Sequence, residues 1–353
     1  MKSMRFMAPI AATCLIVTQS EPAPAWGWEG HEYVGALAWR LLNPNARRHV
    51  RELLGPGVSL SFAAVWADCA KTVTGPPDYD FTPRYTPHVC LDYSTDERAR
   101  MYDYVHRNWN NCRYSHRLAD CHKSYHFADI NVHDHMAYDV NLLGGGTNDI
   151  VQAIKAATIA LKCRDFSACT IPQPFNFASK REALLILDHL VGDLHQPLHV
   201  GAIYLNGASA ETSDSEAATI GVASETIGGN SLFVTPGGEN LHHVWDSVPD
   251  APPSDEAATQ ACRISPLPNP TPQPPEDWAN ESVAAARLAY NGMSFSAADP
   301  PNDGWNIHFA DKNGYMADVT RVQAVQRIKA GARLAAILNS IWPSTIRATA
   351  CRS

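Results

Sequence analysis

Apolar residues recur at helical spacing along most of this chain. In eight stretches they fall every three or four positions and would line one face of a helix. The predicted helices cover 33–42, 46–54, 60–70, 98–109, 150–161, 181–194, 278–290 and 319–341. Pairs that contain proline, such as Gly55-Pro56 and Gln196-Pro197, mark helix ends. The pattern therefore predicts a mainly α fold.

Few other elements are predicted. Alternation of apolar and polar residues is scarce, and 230–235 is the best candidate strand. The stretch 206–225 is rich in Ala, Ser, Thr and Glu, and 249–275 is dense in proline, so both are predicted to be loops. Residues that could bind metal flank the first loop on both sides. We therefore expect a single α-helical domain rather than two.

The N-terminal segment has the pattern of a secretory signal. Lys2 and Arg5 precede an apolar run over 6–17, and Ala23-Pro24-Ala25 offers a small-residue cleavage site. The run is shorter than the ~18 residues of a spanning helix, which disfavours the alternative of a membrane anchor. Removal of 1–25 would leave Trp26 as the first residue of a catalytic domain over 26–353. This domain is expected to be secreted or periplasmic.

The cysteines agree with export. An even set would remain after cleavage, which suggests disulfides: Cys69, Cys90, Cys112, Cys121, Cys163, Cys169, Cys262 and Cys351. Many pairings are possible, and proximity favours Cys163–Cys169 and Cys112–Cys121. No C-x-x-C pair occurs, so a zinc finger is disfavoured.

Charge restricts how the chain could bind nucleic acid. The formal charge is −8, and loss of Lys2, Arg5 and Glu21 with the signal would make it −9. We find no basic stripe or arginine-rich arm, so a general electrostatic attraction for phosphates is absent. Any such attraction must be local, and bound cations are the obvious source.

The densest group of candidate ligands lies in 187–199. His189 and Asp193 are four residues apart, so they share a helix face about 6 Å apart along the axis. Pro197 ends the helix and lets His199 turn toward the same site. An isolated pair of this kind is more often a solvated surface feature. The apolar helix and the two further histidines within six residues favour metal binding instead.

Two other segments repeat this chemistry. His242 and Asp246 have the same four-residue spacing, whereas His243 and Trp245 fall off that face. A surface turn would be the ordinary interpretation of this pair alone. Two such pairs, combining imidazole with carboxylate, suit zinc in an open, reactive site.

The mature start, 26–31, is the third candidate. A free α-amino group has a pKa near ~7.7–8.0, so the Trp26 amine could lose its proton and bind a metal together with His31. The alternative is a frayed terminus.

Two further segments carry candidate residues. Asp68 is followed one turn later by Lys71, a candidate phosphate contact, and His126 is followed by an aromatic residue and an acid. In isolation, such segments are more often a polar helix end and a half-buried strand than functional sites.

Taken in order, these residues resemble the zinc-dependent single-strand nucleases, a family that includes the fungal S1 and P1 enzymes. The shared motifs are Trp-Gly…Gly-His, Trp-Ala-Asp, His-Phe-x-Asp, His-x-x-Gly-Asp-x-x-Gln-Pro-Leu-His, Gly-Gly-Asn and Asn-Leu-His-x-x-Trp-Asp. The resemblance covers 26 to about 339. It implies one mainly α-helical domain like that of the zinc-dependent phospholipases C, and an endonuclease that leaves 5′-phosphate products and has 3′-nucleotidase activity.

The resemblance also implies three zinc ions. One would bind Asp68, His126, His189 and Asp193; its neighbour would bind the Trp26 amine and carbonyl, His31 and the shared Asp193. The third would bind His199, His242 and Asp246. A close metal pair activates water, and a further cation neutralises the leaving oxygen. Asp68, Asp193 and Lys71 would carry catalysis, while Phe127 would stack on a base and Asp129 and Asn230 would hold its edge. The partners implied are single-stranded DNA, RNA and nucleotides, for a monomer with no stable protein partner and no membrane.

Two insertions depart from the fungal pattern, near 70–122 and 202–227. The first carries His88, His106, His116 and His122. Of these, His88 rivals His126 as a ligand, and we prefer His126 because Phe127 and Asp129 follow it. Two other functions remain open. A phospholipase C has a similar metal core, although Phe127 and Asp129 disfavour it, and a non-catalytic zinc-binding protein is the more distant alternative.

Overall fold

The computed structural model describes residues 26–81, 86–110, 112, 120–234, 238–264, 271–298, 303–346 and 348–351. The predicted signal segment 1–25 and His116 lie outside these residues. Helices dominate: α1 Trp28–Leu41, α2 Pro44–Leu54, α3 Leu60–Ala63, α4 Trp66–Lys71, α5 His88–Leu91, α6 Thr95–Arg107, α7 Cys121–Ser124, α8 Ile150–Lys162, α9 Lys180–His195, α10 Asp214–Ile220, α11 Leu241–Asp246, α12 Asp255–Ile264, α13 Pro275–Ala289 and α14 Lys312–Ile341. The prediction of a mainly α fold is confirmed.

The strands are short and form two small sheets: β1 Ile130–Asn131, β2 Gly201–Ala202, β3 Leu232–Phe233, β4 Met293–Ala297 and β5 Trp305–Phe309. β1 pairs in parallel with β2, with Ile130 opposite Gly201. β5 lies between β3, to which it is parallel, and β4, to which it is antiparallel. The first sheet joins the segment after His126 to the segment after His199, so it holds two candidate ligands side by side.

Helix α9 is the centre of the fold. The Ser179 side chain accepts the Glu182 N–H and so begins the helix, and Pro197 prevents its continuation. Every residue from Ala183 to His195 is buried, because α1, α4, α8 and α14 pack around the helix. A helix buried on all sides must satisfy its polar side chains internally. From Glu182 onward the polar side chains of α9 are therefore turned to neighbouring elements and not to water, whereas Lys180 and Arg181 at its start are part-exposed.

Several predicted elements are corrected by the structure. The predicted helix over 60–70 is two short helices, α3 and α4, separated at Ala64 and Val65. The predicted loop over 206–225 contains α10, and the predicted loop over 249–275 contains α12. Ser213 and Ser254 start these helices by accepting N–H groups of the first turn, which is a local signal independent of apolar periodicity. The β4–β5 hairpin was not predicted, and α14 begins seven residues earlier than expected.

Four disulfides connect the described residues: Cys69–Cys90, Cys112–Cys121, Cys163–Cys169 and Cys262–Cys351. The two pairs favoured by proximity are confirmed. The first pair joins α4, immediately after Asp68, to the first insertion. Disulfides of this number are typical of oxidising compartments. None of the helices within the described ranges has the length and apolarity needed to cross a bilayer.

Candidate metal centre

Five predicted ligands meet beside the C-terminal half of α9 in what we term the inner cluster: His31 of α1, Asp68 of α4, His126 after α7, and His189 and Asp193 of α9. His189 Nε2 and His126 Nδ1 lie 3.1 and 2.8 Å from Asp193 Oδ2. His31 Nε2 lies 3.2 Å from the other Asp193 oxygen, and His189 Nε2 lies 3.4 Å from Asp68 Oδ1. All five side chains are buried. Two carboxylates and three imidazoles thus converge away from water.

His189 is oriented by the backbone. Its Nδ1 lies 2.7 Å from the Ala64 carbonyl oxygen, which can only accept, so Nδ1 carries the proton and Nε2 presents its lone pair to the carboxylates. Burial alone would lower the pKa of His189, but Asp193 and Asp68 raise it to about 10. Without a metal the ring would therefore take a second proton. A divalent cation can replace that proton, as expected of a ligand held between carboxylates.

The two inner carboxylates stay ionised. Burial acts to raise the pKa of Asp68, but Lys71 and His189 outweigh burial and hold it below its ordinary value. Burial likewise acts to raise the pKa of Asp193, while His189 and His199 lower it further than burial raises it. Metal ligands must be deprotonated, so both aspartates are in the form that binds a cation.

Two glycines make room for the inner cluster. The rings of His31 and His189 stack with centroids 3.8 Å apart. A Cβ on Gly192 would lie 2.8 Å from His31 Nδ1, and a Cβ on Gly30 would lie 2.7 Å from the Trp26 Cβ. Gly192 therefore allows α9 to approach α1 at His31, whereas Gly30 makes room for the Trp26 side chain.

A second group, the outer cluster, consists of His199, His242 and Asp246. His199 Nδ1 lies 2.7 Å from the His126 carbonyl oxygen, and His242 Nδ1 lies 2.7 Å from the Gly228 carbonyl oxygen. Both Nδ1 atoms must therefore donate. Burial lowers the pKa of His199 to about 3 and that of His242 to about 4, so both rings are neutral.

The outer cluster fits a cation on its own geometry. The two Nε2 atoms face each other across 3.0 Å, and neither carries a proton when Nδ1 does. Asp246 Oδ2 lies 3.6 Å from His242 Nε2 and has no hydrogen-bond partner among the described residues. Two facing lone pairs and an unpartnered buried carboxylate oxygen are unfavourable unless a positive ion lies among them. Imidazole and carboxylate are ligands that zinc prefers.

Trp26 lies between the two clusters. Its backbone nitrogen donates to Asp246 Oδ1 at 3.0 Å, and its indole Nε1 donates to the Gly192 carbonyl at 2.7 Å. Gln196 Nε2 also donates to Asp246 Oδ1, at 2.8 Å. Sequence reasoning missed this positioning role of Gln196, although the residue belongs to the Gln-Pro pair that marks the end of α9. The Trp26 nitrogen is thus beside the outer carboxylate, and its role as a zinc ligand stays a prediction.

Lys71 points at the inner cluster. Its Nζ lies 3.0 Å from Asp68 Oδ1, and its side chain is 15% exposed. Burial acts to lower the pKa of Lys71, but Asp68 and Asp193 raise it above its ordinary value. Lys71 is therefore a fixed cation at the edge of the inner cluster, and its role as a phosphate contact stays a prediction.

The predicted base-binding residues lie close to these clusters in the chain and in the fold. Phe127 follows His126 directly and is half-buried. Asp129 is buried at the start of β1, and burial together with the charge of Glu225 raises its pKa to about 7. Asn230 donates to the Ile227 carbonyl at 2.9 Å, in the same turn that positions His242.

The other histidines take different positions. His88, the rival to His126, is exposed at the start of α5, and His106 is exposed on α6. His122 is buried against Trp109, and His195 is buried with its Nε2 2.8 Å from an Arg333 nitrogen. Among the described residues, none of these four joins a group that could hold a metal; Asp68 and His189 meet His126 instead.

Clusters of buried imidazoles and carboxylates of this kind are typical of metal-dependent phosphoesterases. The family model for S1/P1 nuclease matches residues 26–343, and the chain therefore belongs to the S1/P1 nuclease family. Its curated relatives in Arabidopsis thaliana include Endonuclease 1, 27% identical over 66% of this chain and 56% of the relative, and Endonuclease 4, 26% identical over 67% and 60%. Endonuclease 2 is 28% identical over 63% and 55%. The matches thus span little more than half of each relative.

Proposed function

We propose that this chain is a secreted, zinc-dependent endonuclease. It hydrolyses phosphodiester bonds of single-stranded DNA and RNA to 5′-phosphate products, and it also acts as a 3′-nucleotidase. The observation that carries the proposal is the pair of buried histidine and carboxylate clusters on either side of Trp26, in a chain whose family is named for nucleases. The four disulfides support an oxidising destination.

The residues would hold three zinc ions. Asp68, His126, His189 and Asp193 hold the first, and His31, the shared Asp193 and the Trp26 amine and carbonyl hold the second. The outer cluster, His199, His242 and Asp246, holds the third. Zinc in such sites supplies an activated water and neutralises charge on the leaving oxygen. The net charge of −8 agrees with this arrangement, because the attraction for phosphate then comes from the centre itself.

The chain's own groups bind and orient the substrate. Lys71 donates from Nζ to a phosphate oxygen while Asp68 holds the ammonium in place. Phe127 stacks on a base that is free of a duplex, which is the reason for the single-strand preference. Asp129 accepts hydrogen bonds from the base edge when it is ionised. The side-chain amide of Asn230 makes a further hydrogen bond to the same edge.

Asp193→Asn tests the shared carboxylate. A neutral amide bridges two cations poorly, so the variant should lose two zinc ions together. Turnover of single-stranded DNA should fall more than about 100-fold, since even residues that only orient a ligand typically contribute ~10–100-fold. Glu182→Gln is the matched control, because Glu182 is a buried carboxylate of the same helix that pairs with Arg107 outside the centre. Full zinc content and turnover in Asp193→Asn would refute the assignment.

Substrate class is tested in parallel. Release of product from single-stranded DNA, RNA, 3′-AMP and phosphatidylcholine is measured with and without a zinc chelator. We expect chelator-sensitive release from the first three. Release from phosphatidylcholine alone would make the chain a phospholipase C, and no release from any substrate would make it a non-catalytic zinc-binding protein.

A further inference from the structure

A third set of metal-binding side chains lies outside the centre described above, where the second insertion meets the turn after β1. Asp134 and His135 come from this turn, and Asp214 begins α10 in the insertion. Potential ligand atoms of all three lie within 4.8 Å of one another. We propose that this group, the insertion cluster, binds a fourth zinc ion that fastens the insertion to the body of the enzyme.

Hydrogen bonds hold the candidate ligands in position. The Asp214 N–H donates to Asp134 Oδ2 at 2.8 Å, and the buried Asn131 side chain donates to the Thr212 carbonyl at 3.0 Å. The His135 N–H donates to the Asn131 carbonyl at 3.0 Å. Two segments about eighty residues apart are thus held in register before any ion binds. A site prepared in this way loses little conformational freedom on binding.

The donor set leaves bonding capacity for a cation. His135 Nε2 lies 2.7 Å from Asp214 Oδ2, whereas Asp214 Oδ1 is buried and has no hydrogen-bond partner among the described residues. His133 and Glu211 flank the group, with His133 Nδ1 3.4 Å from Glu211 Oε2. Three carboxylates therefore face two imidazoles. A buried carboxylate oxygen without a partner is costly, and a cation would satisfy it.

The ligand types select the metal. Calcium and magnesium prefer oxygen ligands throughout, whereas zinc accepts imidazole and carboxylate together. Ligand atoms around tetrahedral zinc lie about 3.3 Å apart, given bonds of about 2.0–2.1 Å. The 2.7 Å between His135 and Asp214 must therefore open by roughly half an ångström, which two side chains about a quarter exposed can accommodate.

A zinc ion at the insertion cluster would also affect the predicted base-binding residues. The insertion also contacts Asp129, through the Tyr204 hydroxyl that donates to the Asp129 carbonyl at 2.9 Å. β1 and β2 connect this region to the segment after His199. A metal at the insertion cluster would hold the second insertion in place beside the predicted base-binding residues. It would not touch the reacting atoms. It would act as a stabilising ion, independent of the inner and outer clusters.

The test compares the full chain with the double variant His135→Ala/Asp214→Asn. Zinc per chain is measured by elemental analysis after equilibration with buffered zinc, and crystals are examined by anomalous diffraction at the zinc edge. We expect one zinc fewer in the variant, and in the wild type an anomalous peak about 2.0–2.1 Å from His135 Nε2. His49→Ala is the control, because His49 is a part-exposed histidine that pairs with Glu52 outside every cluster.

Equal zinc content in both proteins and no anomalous peak at His135 would overturn the proposal. The cluster would then be no more than an ion pair between His135 and Asp214. Because the readout is a difference between variants, it does not depend on how many ions the buried clusters hold. Limited proteolysis gives a second measurement. Zinc should slow cleavage within 206–225 in the wild type and in His49→Ala, and it should have no such effect in the double variant.

Discussion

Gly192→Ala is the sharpest perturbation that the centre offers. Gly192 lies in the last turn of α9, one residue before Asp193, and its added Cβ would lie 2.8 Å from Nδ1 and 3.1 Å from Cε1 of His31. Ordinary contacts of a Cβ begin near 3.4 Å. The His31 ring would therefore have to move by about half an ångström, which would disturb its stacking on His189 at 3.8 Å.

The stability effect should be small because two terms oppose each other. Alanine is favoured over glycine inside a helix by about 0.8–1.0 kcal/mol. Overpacking of a buried site costs about 1–3 kcal/mol. The net destabilisation is therefore at most about 2 kcal/mol. The catalytic effect should be a loss of up to about 100-fold in turnover, which is what a misplacement of about 1 Å can cost.

The assay measures three quantities on the same samples: the thermal midpoint, zinc per chain, and kcat/KM on single-stranded DNA. Gly331→Ala is the control, because its Cβ would lie 2.9 Å from Leu37, which belongs to α1 like His31. Both variants add a close contact to α1, but only Gly192→Ala places it against the candidate ligand His31. An equal loss of activity in both would attribute the effect to displacement of the helix, and full zinc and activity in Gly192→Ala would refute the reasoning.

The remaining predictions concern the substrate and the N-terminus. Phe127→Ala should raise KM for oligonucleotides by about 5- to 150-fold with zinc content unchanged, since base stacking contributes about 1–3 kcal/mol. KM should fall as pH rises through about 7, because Asp129 then ionises; Asp129→Asn should abolish this dependence, and Glu225→Gln should shift it to lower pH. One glycine added before Trp26 in the processed protein should remove one zinc and most activity, because an amide nitrogen has no available lone pair; equal zinc content and turnover would refute it.

The long helices and the ligand pairs follow directly from the sequence. In α9, the four-residue spacing places His189 Nε2 3.1 Å from Asp193 Oδ2, and in α11 it places His242 Nε2 3.6 Å from Asp246 Oδ2. Helix geometry makes the two side chains of each pair neighbours, and it can be predicted once the helix is recognised. Residues that lie next to each other in a helix are the part of a metal site that local patterns can predict.

The break in the predicted helix over 60–70 depends on a distant residue. Apolar periodicity continues across Ala64 and Val65, so the local pattern favours one helix. In the structure the Ala64 carbonyl accepts the Nδ1–H of His189 instead, at 2.7 Å. A tertiary hydrogen bond to a buried ligand thus compensates for an interrupted helix. This contact joins positions 125 residues apart, so periodicity within a short window cannot reveal it.

The same argument extends to the two imidazoles of the outer cluster. The carbonyls that accept from His199 and His242 belong to His126 and Gly228, and like Ala64 these residues lie in turns between regular elements. A carbonyl inside a helix already accepts one backbone hydrogen bond, whereas a carbonyl in an irregular segment is more readily available to a side-chain donor. The carbonyl determines which ring nitrogen carries the proton and therefore which nitrogen is free to bind zinc. Ligand identity is thus encoded in the side chains, whereas ligand orientation is encoded in the places where the helices stop. Because every residue type has a carbonyl, only the fold shows which of them do this.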